Sequence, residues 1–94
     1  MMSYEEQPTQ ITILNKLENV VSGSISREEF NQWAYKWVQN FDSRNQLSST
    51  ENSIHKYLVF LLAIDLEIEP DVYFHIDEEI AEWSEIVKKG QPLS

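Results

Sequence analysis

The chain has no cysteine, which excludes a disulfide scaffold, a thiolate metal site and a cysteine nucleophile. It has two glycines and three prolines in 94 residues and no hairpin dipeptide, which argues against an all-β fold and against a glycine-rich phosphate loop. Its longest apolar run, Tyr57 to Ile64, falls far short of the roughly 18 residues a membrane-spanning helix needs. The opening MMSYEEQPTQ lacks a basic region followed by an apolar one, so no secretory leader is expected and a cytoplasmic protein is. The most local absence is of positive charge: from Tyr57 to Val87 there is no Lys or Arg.

Against that absence stand nine carboxylates in the same stretch, Asp65, Glu67, Glu69, Asp71, Asp77, Glu78, Glu79, Glu82 and Glu85. The seven acids elsewhere are matched by the seven bases, so the whole net charge of −9 belongs to one third of the chain. A phosphate backbone requires a basic footprint, so this balance argues against direct nucleic-acid binding and for a basic protein partner. An apolar fraction of 41 % with three Trp, four Tyr and four Phe suffices for a folded core, and the length suits one domain over residues 1–94.

Hydrophobic periodicity predicts four helices and thus an all-α fold, a compact bundle. Residues 1–9 read as a loose tail. A first helix starts near Thr9 or Gln10, with Ile11, Leu14, Leu17, Val20 and Val21 at helical spacing and Ile13 widening the stripe. Gly23 is the natural residue past its end. The second helix has the clearest start: ISREEF places Ser26 at the N-cap and Glu29 three residues on, a capping box, with Ile25 and Phe30 as a hydrophobic staple. Phe30, Trp33, Ala34, Trp37, Val38 and Phe41 then form one apolar face, most simply core. Ser48 and Glu51 repeat the capping pattern for a third helix, with Ser49 a competing cap; Tyr57–Ile64, apolar on every face, suits a strand as well, but Ile54 and Tyr57 continue the helical period and favour a helix buried on most sides. Pro70 ends that element or lies just past it. Leu66 to Ile76 reads as a linker with a short extended piece and no identifiable partner strand. Asp77 is the expected N-cap of the fourth helix, with Ile80, Trp83 and Val87 on one face, Lys88 and Lys89 at its end and Gly90 closing it. The last four residues read as a polar tail.

Motifs for chemistry are absent where they would be sought. A calcium loop beginning at Asp65 would need Gly at its sixth position and Glu at its twelfth, where Pro70 and Ile76 stand. His55 and His75 fit no zinc or di-iron spacing. No nucleophile elbow or paired catalytic carboxylate is marked, so no enzymatic activity and no cofactor are expected. Tyr73 lies off the period of both neighbouring helices. It either anchors an interface or folds back over the core.

SGSISREEFNQWAYKWV and YFHIDEEIAEW resemble segments of small bacterial proteins grouped with the immunity partners of polymorphic and contact-dependent toxins. The resemblance implies a non-catalytic inhibitor that binds the catalytic domain of a toxin in the cytoplasm. The expected partner surface is Asp65, Glu67, Glu69, Asp71, Tyr73, Asp77, Glu78, Glu79 and Glu82, whose carboxylates would complement a basic cleft. An acidic regulatory or adaptor module using the same surface is the alternative.

Overall fold

A computed structural model describes residues 7–70 and 72–93. The fold is a mostly helical bundle. Helix α1 spans Gln10–Ser22, α2 Arg27–Asp42, α3 Ser49–Leu61 and α4 Asp77–Lys88. A 3-10 turn, Leu62–Asp65, continues α3, and two short strands, β1 (Glu67–Glu69) and β2 (Val72–Tyr73), precede α4.

The helices begin where side chains satisfy their first amides. Ser26 accepts from the Glu29 amide while the Glu29 carboxylate accepts from the Ser26 amide, and Ser48 with Glu51 does the same. Thr9 and Thr12 form the equivalent box at α1. Gly23 and Gly90 take positive φ, +83° and +71°, where a Cβ would be strained.

One buried cluster joins all four helices. It comprises Ile13, Leu17 and Val20 of α1; Phe30, Trp33, Ala34, Trp37, Val38 and Phe41 of α2; Ile54, Tyr57, Leu58 and Leu61 of α3 with Ile64; and Ile80, Trp83 and Val87 of α4. The α2 aromatics are therefore core, with Phe30 edge-on to Trp33 at 5.5 Å. The main packing pairs are α1 on α4 and α2 on α3 with its 3-10 continuation.

Four details depart from the sequence-based expectations. Ile11 and Val21 are exposed, because Ile13, Leu17 and Val20 already define the inward line and Ile11 lies about 200° from Ile13 around the helix. The run after Tyr57 is not helical and buried throughout: the α-helix stops at Leu61, Val59 faces solvent, and Pro70 falls in a later turn. The 3-10 carbonyls instead meet side chains of α2, Leu62 accepting from Asn31 at 2.7 Å and Ile64 from Arg27 at 3.1 Å. Asp77 is the first helical residue rather than the N-cap; Ile76, which has no side-chain acceptor, holds the cap position, and the Asp77 carboxylate is engaged by Arg27. The terminal segments are not loose where they are described: Pro8 is fully buried, and Gln91 accepts from the Tyr57 hydroxyl while Leu93 packs on the core. Residues 1–6 of the expected tail, and Ser94, lie outside the described residues.

Candidate functional site

The expected linker is an antiparallel hairpin. Glu67 pairs with Tyr73 and Glu69 with Val72, the register shifting between them at Ile68. Pro70 sits in the connection, where its fixed φ suits a turn.

Arg27 fastens this hairpin to the bundle. Its side chain is buried at the start of α2, and its guanidinium donates to the Ile64 carbonyl, the His75 carbonyl and the Asp77 carboxylate, the last at 2.7 Å. One cation thus holds the end of the 3-10 turn, the exit of β2 and the first residue of α4. Its guanidinium also lies 4.3 Å from the centre of the Tyr73 ring, a cation–π contact. The Tyr73 hydroxyl donates to Glu28 at 2.7 Å. That bond pushes the Tyr73 phenol up to about 12, since losing the proton would set a phenolate against a carboxylate. The same bond holds Glu28 below the usual carboxylate range.

The structure gathers much of the expected acidic surface at this end. Asp65 closes the 3-10 turn, half-buried, and burial raises its carboxyl. Glu67 and Glu69 are exposed on β1, and Glu67 lies close enough to Asp65 and Tyr73 to influence both electrostatically. Tyr73, Asp77 and Glu79, among the expected contact residues, make internal contacts. Tyr73 folds back onto Glu28 and Arg27, Asp77 pairs with Arg27, and Glu79 receives a 3.1 Å bond with His75 that lowers its carboxyl. Glu78 and Glu82 are exposed on α4. Asp71 lies outside the described residues. Arg27 and Glu28 carry no local signal of these roles. In sequence they read as first-turn residues of a capping box, and their partners stand 37 to 50 residues away.

The C-terminal end of α4 brings two exposed lysines, Lys88 and Lys89, one turn after the exposed Glu85. Helix α4 carries Asp77, Glu78 and Glu79 in its first turn and Lys88 in its last. Lys89 follows, and Gly90 then lines an open groove of roughly 560 Å³ shared with His55, Lys56 and Tyr57 of α3. Lys56, Lys88 and Lys89 are all exposed. The start of α1 is tied to this end through Gln10, whose side-chain amide donates to the Val87 and Lys88 carbonyls. Twelve helical residues place the acidic and basic ends of α4 about 18 Å apart. Among the described residues, no group of three or more His, Asp or Glu side chains is placed to hold a metal ion, and no helix is long and apolar enough to cross a membrane.

A family model described as YxzC DNA-binding protein matches residues 2–87. The chain belongs to the YxzC family. It is 27 % identical over 73 residues to an uncharacterized protein YxzC of Bacillus subtilis (strain 168), covering 78 % of this chain and 57 % of that protein. The chain therefore spans less than two thirds of that relative's length. No solved structure matches it.

Family membership corrects the assignment to toxin-immunity proteins, and with it the toxin partner and the exclusion of nucleic acid. The physical reason is visible in the segments that carried the resemblance. Ser26 and Glu29 are the capping box, and Phe30, Trp33, Ala34, Trp37 and Val38 are core. In YFHIDEEIAEW, Ile80 and Trp83 are core as well. Such residues report how a helix starts and packs, not what the protein binds. The exclusion of nucleic acid rested on the net charge of −9, and a sum over the chain does not say how charge is distributed over its surface.

Proposed function

We propose that this chain is a small, non-catalytic, DNA-directed regulatory module of the cytoplasm, and that it meets DNA with the lysine end of α4. The family's description as DNA-binding supports the nucleic-acid partner. The observation that carries the choice of surface is the charge separation along α4, with Asp77, Glu78 and Glu79 at one end and Lys88 and Lys89 at the other. Lys56 beside the adjoining groove adds a third cation there. Phosphates need cations to displace condensed counterions, and the hairpin end carries carboxylates where DNA would need the reverse. Three lysines make a small footprint, so binding is weak and strongly steered: the acidic end is repelled and the lysine end is attracted.

The test is fluorescence anisotropy of a labelled DNA duplex, titrated at about 50 mM salt with the unmodified chain and with the Lys56→Glu, Lys88→Glu, Lys89→Glu triple variant. Binding by the first and none by the second is the expected result; all three positions are exposed, so circular dichroism should be unchanged. Equal binding by both would remove this surface, and no binding of duplex or single strand by the unmodified chain would remove the function.

A further inference from the structure

Val59 is 47 % exposed in α3, although Tyr57, Leu58 and Leu61 around it are buried. What it faces is the open groove of roughly 560 Å³. Lys56, Val59 and Phe60 stand at i, i+3 and i+4, so they share one face of α3, and all three line the groove. Phe60 is fixed there by its edge-on contact with Trp83 at 5.4 Å. Pro92 and Leu93 line the groove from the chain beyond α4. Tyr57 holds that segment in place: its hydroxyl donates to the Gln91 carbonyl at 2.8 Å, and Leu93 packs on the core. The groove is thus a cleft between a helix and an anchored segment, with aliphatic and aromatic walls and an exposed cation among them. Its volume lies within the range of about 300–1,000 Å³ typical of small-molecule sites, whose walls are mostly apolar and whose few polar groups orient the ligand.

The polar groups of the groove narrow what it can hold. His55 is bonded to Asp42 at 3.0 Å and stands edge-on to Phe41, so its ring is engaged by α2. The Tyr57 hydroxyl is taken by Gln91 and the Ser53 hydroxyl by the Ser49 carbonyl. Lys56 remains, exposed and without an ion pair among the described residues. One unpaired ammonium beside apolar walls matches a ligand with a single negative charge and an apolar body. A polyphosphate would need further cations or a run of free backbone amides, and an uncharged hydrocarbon would leave the ammonium unused. We infer that the groove binds a medium-chain aliphatic carboxylate, its carboxylate on Lys56 and its chain over Val59, Phe60, Pro92 and Leu93. Lys56 is also one of the three lysines proposed to meet DNA, so a bound carboxylate withdraws it from phosphates and weakens DNA binding. This regulatory consequence rests on the proposed function, whereas the ligand site does not. The coupling is reciprocal, so DNA weakens the carboxylate by the same factor.

The experiment titrates the full isotope-labelled chain with octanoate and follows the backbone amide resonances. Octan-1-ol, which has the chain without the charge, and acetate, which has the charge without the chain, are the controls. Octanoate should shift the amides of residues 56–60 and 91–93 and saturate with a dissociation constant of about 1 mM or below. Octan-1-ol should bind roughly tenfold more weakly, for want of the charged contact. Lys56→Met, which keeps the aliphatic stem, should bring octanoate down to the octan-1-ol level, and Val59→Ser should weaken both ligands roughly fivefold. Both positions are exposed, and unchanged α1 and α2 resonances in each variant establish that it is folded. Absence of shifts, shifts spread over all four helices, or equal binding of octanoate and octan-1-ol by the unmodified chain overturns the inference. Acetate binding as tightly as octanoate also overturns it, by reducing the site to an exposed lysine. In the anisotropy titration of labelled duplex, saturating octanoate should lower DNA affinity about fivefold relative to the same concentration of acetate. Unchanged DNA affinity with octanoate bound overturns the regulatory consequence. A chain that binds octanoate as expected but no DNA removes the proposed function and leaves the ligand site standing.

Discussion

The Arg27 guanidinium lies 4.3 Å from the centre of the Tyr73 ring while donating to three other acceptors from the same buried position. This one residue at the start of α2 joins the 3-10 turn, the exit of β2 and the first residue of α4. Arg suits the position because its planar fork reaches several separated acceptors and its flat face stacks on an aromatic ring; a Lys ammonium concentrates its donors at one point and has no planar face.

Arg27→Ala should therefore cost about 3 kcal/mol of unfolding free energy, since it leaves the carbonyls of Ile64 and His75 and the carboxylate of Asp77 without their partner. Arg27→Lys should recover only part of that loss. Urea unfolding followed by tryptophan fluorescence measures both, and a change under about 0.5 kcal/mol for the alanine variant would contradict the clamp.

The Tyr73–Glu28 bond sets a pH window for hairpin anchorage. The folded state raises the Tyr73 phenol from 10.0 to about 12, so its contribution is fully present below pH 10 and is lost as pH rises from 10 toward 12. Glu28 is depressed, so its contribution is present above the ordinary carboxylate value and is lost as pH falls through the depressed one. The alkaline loss should be smaller in Tyr73→Phe. Urea midpoints of the two proteins against pH isolate this contribution from Tyr57, which burial also raises. Parallel curves above pH 10 would show that the bond is not formed in solution.

The capping boxes at Ser26 and Ser48 sit on different helices and share no hydrogen bond. Ser26→Ala and Ser48→Ala should each cost about 1 kcal/mol, and the double variant should cost their sum within about 0.5 kcal/mol. Thermal melts of the three variants provide the check. A marked departure from the sum would mean that the two helix starts are coupled through the core.

If Lys56, Lys88 and Lys89 supply the DNA contacts, the slope of log affinity against log salt should be about −2.7 for duplex DNA. Removing one of the three lysines should reduce its magnitude by about 0.9. A slope much steeper than this would require cations elsewhere on the chain, and a flat one would show that phosphates are not the ligand.

Most of the helical framework was determined by the sequence alone, because its signals are local. Ser26 and Glu29, three residues apart, satisfy each other's amides wherever the rest of the chain lies. The spacing of Phe30, Trp33, Trp37 and Phe41 puts them on one face before any partner is present. The hairpin was less legible. Val72 and Tyr73 alternate as a strand does, but a strand so short shows its partner only when Glu67 and Glu69 are in register with it. The end of α3 was obscured for another reason: an uninterrupted apolar run carries no period to mark where one geometry gives way to another. What only tertiary structure decided was the fate of charge. Asp77 and Glu79 looked like members of a free acidic face, yet Arg27 and His75 engage them. Lys56 and Gly90 stand 34 positions apart in sequence and line the same groove. Caps and helical faces are set within a few residues, whereas electrostatic surfaces depend on which distant residues the core brings together.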